Sequence, residues 1–117
     1  MEQLNQVELR GTVGSIRKSN VSDKTLASIT VATNLAYRAE DGTAVIETTW
    51  HLVKAWEGKN ITKETLDNLE RGSKVYVVGR IRNIRMTGED GVDRTSCEIL
   101  ASRLVKITSD EPLTYEM

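Results

Sequence analysis

The stretch "TKETLDNLERG", residues 62–72, has an apolar spacing that differs from the rest of the chain. Leu66 and Leu69 are three residues apart, so they share one face of a helix. Thr62 is a residue type that caps the first turn of a helix, and Gly72 is a type that ends one. The sequence therefore predicts one short helix over residues 62–72.

On both sides of this helix, apolar and polar residues alternate in segments rich in valine, isoleucine and threonine. This two-residue period is typical of strands with one buried face. Five strands are predicted, with approximate limits at residues 5–18, 26–38, 45–56, 74–86 and 93–107. The polar residues 19–24 are predicted to form a loop, and the Asp-Gly pair at 41–42 a hairpin turn. Gly11 and Gly14 are expected to mark places where the first strand bends or bulges.

The resulting order is three strands, one helix and two strands. This order is typical of the oligonucleotide/oligosaccharide-binding (OB) fold, a five-stranded Greek-key barrel. We therefore predict an all-β fold of this kind, with one short helix between strands three and four. The barrel is expected to form one domain over residues 1–107, followed by a short acidic tail over residues 108–117.

The composition of the 117 residues is that of a soluble globular domain, with 38% hydrophobic and 28% charged residues. No apolar run approaches the roughly 18 residues that span a bilayer. The N-terminus lacks the basic and apolar segments of a secretory signal. A single cysteine, Cys97, excludes a disulfide within the chain and a four-cysteine zinc site. These features favour a cytoplasmic protein without a membrane segment.

The net charge of −1 argues mildly against a nucleic-acid partner, but the charge is unevenly distributed. Between Arg71 and Lys106 there are eight lysines and arginines against four acidic residues, a local excess of four positive charges. The last ten residues carry three acidic side chains and no basic one. The sequence thus describes a patchily basic body with an acidic end.

Four stretches resemble the bacterial single-stranded DNA-binding protein family: "VATNLAYRAEDG" (31–42), "ETTWHLVKAW" (47–56), "LERGSKVYVVGRIR" (69–82) and "GEDGVDRTSCEI" (88–99). The resemblance covers about residues 5–107. It implies the same barrel and sequence-independent binding of single-stranded DNA. It also implies a homotetramer without catalysis, metal or cofactor.

Trp50 and Trp56 have equal parity in the third strand and therefore share a face with Lys54. The small residues Val53 and Ala55 fit the interior of a narrow barrel, which places both tryptophans outside. From the residues alone, core packing and a binding surface both stay open for them. The resemblance implies that they stack on DNA bases.

The resemblance adds two further stacking positions, Tyr37 at the end of strand two and Met86 at the end of strand four. Family members commonly have an aromatic residue at the second position. A thioether is polarizable and can lie on a base, but it is not an aromatic plate. We therefore expect weaker binding, or a different DNA path, near Met86.

Five basic residues are candidate phosphate contacts: Lys54, Arg80, Arg82, Arg85 and Arg94. Arg80 and Arg82 have the same parity as Met86 and are expected to share its face of strand four. For any one of these residues, an ordinary solvated surface position explains the sequence as well as a phosphate contact does. As a cluster they favour phosphate neutralisation, which makes affinity fall with salt.

His51 is the only histidine, and no spaced set of further ligands accompanies it, whereas zinc needs three or four protein ligands. The resemblance implies a structural role near a subunit contact. The sequence also lacks a nucleophile elbow, a phosphate loop and a dinucleotide fingerprint. We therefore predict a protein without catalytic residues, metal or cofactor.

The predicted function is the binding and protection of single-stranded DNA in replication, recombination and repair, at the nucleoid. Two alternatives stay open: an accessory or assembly subunit of a replication or mobile-element complex that binds nucleic acid weakly, and an RNA chaperone barrel. The acidic tail is short and lacks the family's usual ending. Recruitment of replication and repair proteins through this tail therefore stays an open expectation.

Overall fold

A computed structural model describes residues 2–108 and a short strand near the C-terminus. In chain order, the elements are β1 (Val7–Val21), β2 (Lys24–Arg38), β3 (Ala44–Trp56), α1 (Lys63–Asp67), β4 (Lys74–Thr87), β5 (Asp93–Ile107) and β6 (Thr114–Glu116). No helix in this part of the chain is long and apolar enough to cross a membrane.

Strands β1 to β5 form a closed barrel because each of them has two neighbours. Four pairs are antiparallel: β1 with β2, β2 with β3, β4 with β5, and β1 with β4. The fifth pair, β3 with β5, is short and parallel, through Val53↔Ile99 and Lys54↔Leu100. With α1 between β3 and β4, this is the predicted all-β OB barrel, and the fold prediction is confirmed.

The core consists of small and branched apolar side chains from alternate strand positions. Fully or almost fully buried strand residues are Val13, Ala27, Ile29, Val31, Val53, Ala55, Val75, Val77, Ile99 and Leu104. The segment around α1 adds Ile61, Leu66 and Leu69 to the same cluster. Burial of Val53 and Ala55 leaves the even-numbered residues of β3 on the outside of the barrel, as their parity predicts.

The loop predicted for residues 19–24 is wrong. Strands β1 and β2 continue to a two-residue turn at Ser22 and Asp23, whose φ angles of 51° and 66° match a tight hairpin. Residues 17–24 are exposed on both faces of this hairpin. Since neither face is buried, the sequence there has no apolar alternation and looks like a loop.

The helix is shorter than predicted. Thr62 caps it as expected, and its hydroxyl accepts a hydrogen bond from the Thr65 amide at 3.1 Å. However, α1 ends at Asp67, and Gly72 lies in a later turn with a φ of 91°. Hydrogen bonds to β1 explain the early end, because the Gly72 amide donates to the Val13 carbonyl at 2.8 Å.

The C-terminal strand β6 lies parallel to β2, opposite Asn34, Leu35 and Ala36. This edge of β2 is available because β1 pairs with β2 only as far as Ala32. Part of the predicted tail, residues 108–117, is therefore a strand. Residues 109–113 and 117 of that tail lie outside the described residues.

Candidate nucleic-acid interface

The outer face of β3 carries both tryptophans. The side chains of Trp50 and Trp56 are 60% and 38% exposed, with Leu52 and Lys54 between them on the same face. Six residues of strand separate the two indoles by ~20 Å along β3. The structure therefore confirms the predicted outward orientation of both residues.

A groove of about 340 Å³ lies between β3 and the paired strands β4 and β5, and we name it the β3–β4 groove. Its lining residues are Leu26, Leu52, Lys54, Trp56, Arg82, Ile84, Met86, Ser96 and Glu98. Met86 is 62% exposed at the end of β4. The groove therefore brings together a tryptophan, a methionine and two cations that the sequence indicated, and it adds an apolar floor.

Within this groove, Arg82 is bound to Glu98. The Arg82 Nη2 and Nε atoms donate to the Glu98 Oε1 atom at 2.5 and 3.1 Å. Glu98 is only 3% exposed, whereas the Arg82 side chain is 40% exposed. A buried carboxylate needs such a cation. As a result, the guanidinium is held at a fixed place in the groove, and part of its charge is already neutralised.

Arg94 is also paired with an acid, in the hairpin between β4 and β5. Its Nη2 atom lies 2.8 Å from the Asp90 Oδ2 atom, and Arg94 itself is directly opposite Met86. Two hydrogen bonds lower the pKa of Asp90: the larger effect comes from the Val92 backbone amide and the next from the Arg94 side chain. This exposed pair contributes little stability, but it places the Arg94 side chain beside the outer end of the groove.

Trp50 lies in a second recess, the Trp50 cleft, of about 530 Å³. Its lining residues are Thr12, Val13, Gly14, Ser15, Thr30, Trp50, Arg71 and Gly72. The indole lies so close to Gly14 that a Cβ atom there would overlap the ring. Gly14 also lies where the register between β1 and β2 shifts, so the bulge predicted there is present, whereas no register shift occurs at Gly11. The bulge and the missing side chain together make room for the indole.

Two of the predicted phosphate contacts, Arg80 and Arg85, do not line the β3–β4 groove or the Trp50 cleft. Arg80 lines a separate groove with Asn5 and Gln6. Arg85 has the opposite parity from Arg82 and Met86 in β4, so it points to the other face of that strand. Neither arginine shares a groove with the tryptophans, and the proposed phosphate contacts of Arg80 and Arg85 stay predictions.

Tyr37 does not share the face of Trp50. The register between β2 and β3 runs without a shift from Leu26↔Trp56 to Arg38↔Ala44. Tyr37 therefore follows the parity of the core residue Val31, on the opposite face of this ladder from Trp50. Its side chain is half-buried, and its stacking role also stays a prediction.

His51 forms a local structural contact. Its Nε2 atom lies 2.9 Å from the Thr33 hydroxyl across the β2–β3 ladder. Partial burial lowers the pKa of His51 below its ordinary value, which favours a neutral ring. Within residues 2–108, no group of three or more histidine, cysteine, aspartate or glutamate side chains is arranged to hold a metal ion.

Several site residues were not predicted. Leu52 and Ile84 share strand parity with Lys54 and Met86, so the two-residue period could have indicated them. Glu98 gives no such signal, because its contact with Arg82 depends on the register between β4 and β5. Arg71, within the stretch predicted as helix, reaches the Trp50 cleft only because α1 ends early.

The chain is similar to known single-strand binding proteins in both sequence and fold. The Single-strand binding protein family matches residues 4–107. The single-stranded DNA-binding protein of Xylella fastidiosa is 33% identical over 103 residues, and that of Xanthomonas axonopodis is 31% identical. These matches cover 86% of this chain but 62% and 56% of the relatives, so the chain spans about three fifths of their length.

The fold also has close structural counterparts. The solved Plasmodium falciparum SSB complex with ssDNA superposes with a TM-score of 0.79, covering 92% of this chain and 97% of that one. Its sequence identity is 23%, so it supports the barrel fold alone.

Proposed function

Since the chain belongs to the single-strand binding protein family, we propose that it binds single-stranded DNA without reading its sequence, by base stacking and phosphate contacts. The observation that carries the proposal is the outer face of β3. There Trp56, Lys54 and Met86 line one groove, and Trp50 is exposed further along the same face. The proposed activity is protection of single strands in replication, recombination and repair, without catalysis.

Stacking suits this function because every base has an aromatic face, whatever its identity. Each stacked base contributes roughly 1–3 kcal/mol. Trp50 and Trp56 are ~20 Å apart, which leaves room for intervening nucleotides over Leu52 and Lys54. In this arrangement Lys54 and Arg82 neutralise phosphates along the groove, while Arg71 does so at the Trp50 cleft.

A homo-oligomer, as the family resemblance implies, is part of the proposal. The support is a free edge in β1: within the described strands, residues 7–11 pair with β4 but not with β2. An exposed strand edge is a template for pairing with a second copy. We propose a tetramer, cytoplasmic and associated with the nucleoid. Static light scattering would give its mass directly.

A second candidate function is an assembly subunit that binds nucleic acid weakly. Two ion pairs favour it. Glu98 and Asp90 partly neutralise Arg82 and Arg94, which are two of the predicted phosphate contacts. An RNA-binding barrel is the third candidate, since stacking does not distinguish DNA from RNA.

Fluorescence anisotropy with end-labelled oligonucleotides separates these functions. The proposal expects tight binding of oligo(dT), weaker binding of oligo(U), and only weak binding of a DNA duplex at the same salt concentration. Binding of oligo(dT) no tighter than the duplex would refute it. Tighter binding of oligo(U) than of oligo(dT) would favour the RNA-binding candidate instead.

A further inference from the structure

Glu98 lines the β3–β4 groove, and one of its two carboxylate oxygens is not used by Arg82. Both hydrogen bonds from Arg82 go to the Oε1 atom. Among residues 2–108, no hydrogen bond reaches the Oε2 atom. No fully buried side-chain oxygen in this range lacks a partner. The Oε2 atom therefore keeps some exposure. Since Glu98 is 3% exposed and lines the β3–β4 groove, Oε2 is the carboxylate oxygen that is left to accept a hydrogen bond from a molecule in the groove.

A carboxylate in this position is an acceptor that distinguishes between bases. Cytosine carries an amino group at C4, which donates hydrogen bonds, while thymine and uracil carry a carbonyl oxygen there, which only accepts. A carboxylate oxygen therefore attracts the first group and repels the second. Proteins that recognise single-stranded RNA by sequence read such edges of unpaired bases through hydrogen bonds.

We propose that Glu98 accepts a hydrogen bond from the exocyclic amino group of one bound base and so gives this groove a base preference. The inference rests on the proposed function, because it needs a single strand in the groove. Trp56 would hold the base by stacking, and Lys54 and Arg82 would offset the repulsion between Glu98 and phosphate. The preference concerns one base in each groove, while the rest of the strand is bound regardless of sequence.

The substitution Glu98→Gln tests this inference because Arg82 is only a donor. The guanidinium will bind the amide oxygen of glutamine, and this turns the amide NH₂ group toward the groove. The acceptor in the groove thus becomes a donor of nearly the same shape. The variant should prefer a base with a carbonyl at C4.

Short oligo(dC) and oligo(dU) of equal length are suitable probes, because they differ only at N3 and C4 of the base. Binding is measured at mildly alkaline pH, where cytosine is unprotonated. We expect the ratio of affinities, dC over dU, to fall about 5-fold from the parent protein to the Glu98→Gln protein. An unchanged ratio would overturn the inference, even where both affinities fall together.

Glu89→Gln is the matched control, since Glu89 is exposed in the hairpin between β4 and β5 and the same charge is removed. It should change both affinities equally and leave the ratio unchanged. If neither oligonucleotide binds to the parent protein, the proposed function itself fails, which is a distinct result.

A second measurement needs no variant and covers the case in which Glu98→Gln does not fold. Oligo(dC) carrying N4,N4-dimethylcytosine has no amino hydrogen to donate, so it should bind the parent protein about 5-fold more weakly than unmodified oligo(dC). Equal binding of the two oligonucleotides would contradict the assignment.

Discussion

The indole of Trp50 lies against the backbone of Gly14, across the width of β2. The contact joins two features that are 36 residues apart in the sequence, a β-bulge and an exposed aromatic side chain. It fixes the middle of the outer face of β3. The position of Trp50 is therefore built into the barrel and does not depend on a loop.

Gly14→Ala should displace the indole, because the new Cβ atom would overlap the ring. We expect a loss of about 1–3 kcal/mol in the free energy of unfolding, the usual cost of overpacking. Urea denaturation measures it. Gly58→Ala is the control, since a Cβ atom there meets nothing within 4 Å. Equal stability of the two variants would show that the contact between Trp50 and Gly14 is loose.

Met86→Trp should raise the affinity for oligo(dT). The side chain is exposed at the outer end of the β3–β4 groove, where an indole can replace a thioether as a stacking surface. A gain of up to about 1–3 kcal/mol in binding free energy is expected for one added stacked base. Val21→Trp, at the tip of the β1–β2 hairpin, adds the same side chain outside the groove. A similar gain in both variants would indicate a nonspecific effect.

Lys54→Gln should make the affinity for oligo(dT) less sensitive to salt. If Lys54 contacts a phosphate, its removal lowers the slope of log affinity against log salt by about one unit. Arg85→Gln removes a charge from the opposite face of β4, and it should change this slope less. A larger effect for Arg85 than for Lys54 would place the DNA on the other face of the sheet.

The stability of the barrel should decrease as the pH falls below about 6.5, the ordinary pKa of histidine. Burial lowers the pKa of His51 in the folded protein, so the unfolded chain binds more protons in the window below that value. Stability attributable to His51 is therefore present above pH 6.5 and is lost as the pH falls through the window. Thermal unfolding midpoints of the parent and of His51→Gln should converge with falling pH. Parallel curves would exclude His51 as the cause.

Strand parity and side-chain size together predicted which face of β3 points outward. Because Val53 and Ala55 are small and alternate with Trp50, Lys54 and Trp56, the sequence indicated that they are buried. The order of elements likewise predicted the barrel. Both depend on local patterns, which a sequence displays directly.

The remaining features depend on contacts between distant strands. Arg82 contacts Glu98 because the register of β4 and β5 places them opposite each other, and the residue parity within β4 does not predict this pairing. Tyr37 was predicted as a further stacking residue, and the uninterrupted β2–β3 register places it on the opposite face of this ladder from Trp50. The helix ends early because the backbone near Gly72 is bonded to Val13, 59 residues away.

Tryptophan fluorescence during titration with oligo(dT) tests most directly whether bases stack on the outer face of β3. The chain has two tryptophans, Trp50 and Trp56, and both are exposed on that face, so the whole signal comes from the proposed interface. Stacking predicts strong quenching at low salt that reverses when salt is added. Fluorescence that stays unchanged at low salt, in a protein shown to be folded, would contradict stacking on Trp50 and Trp56.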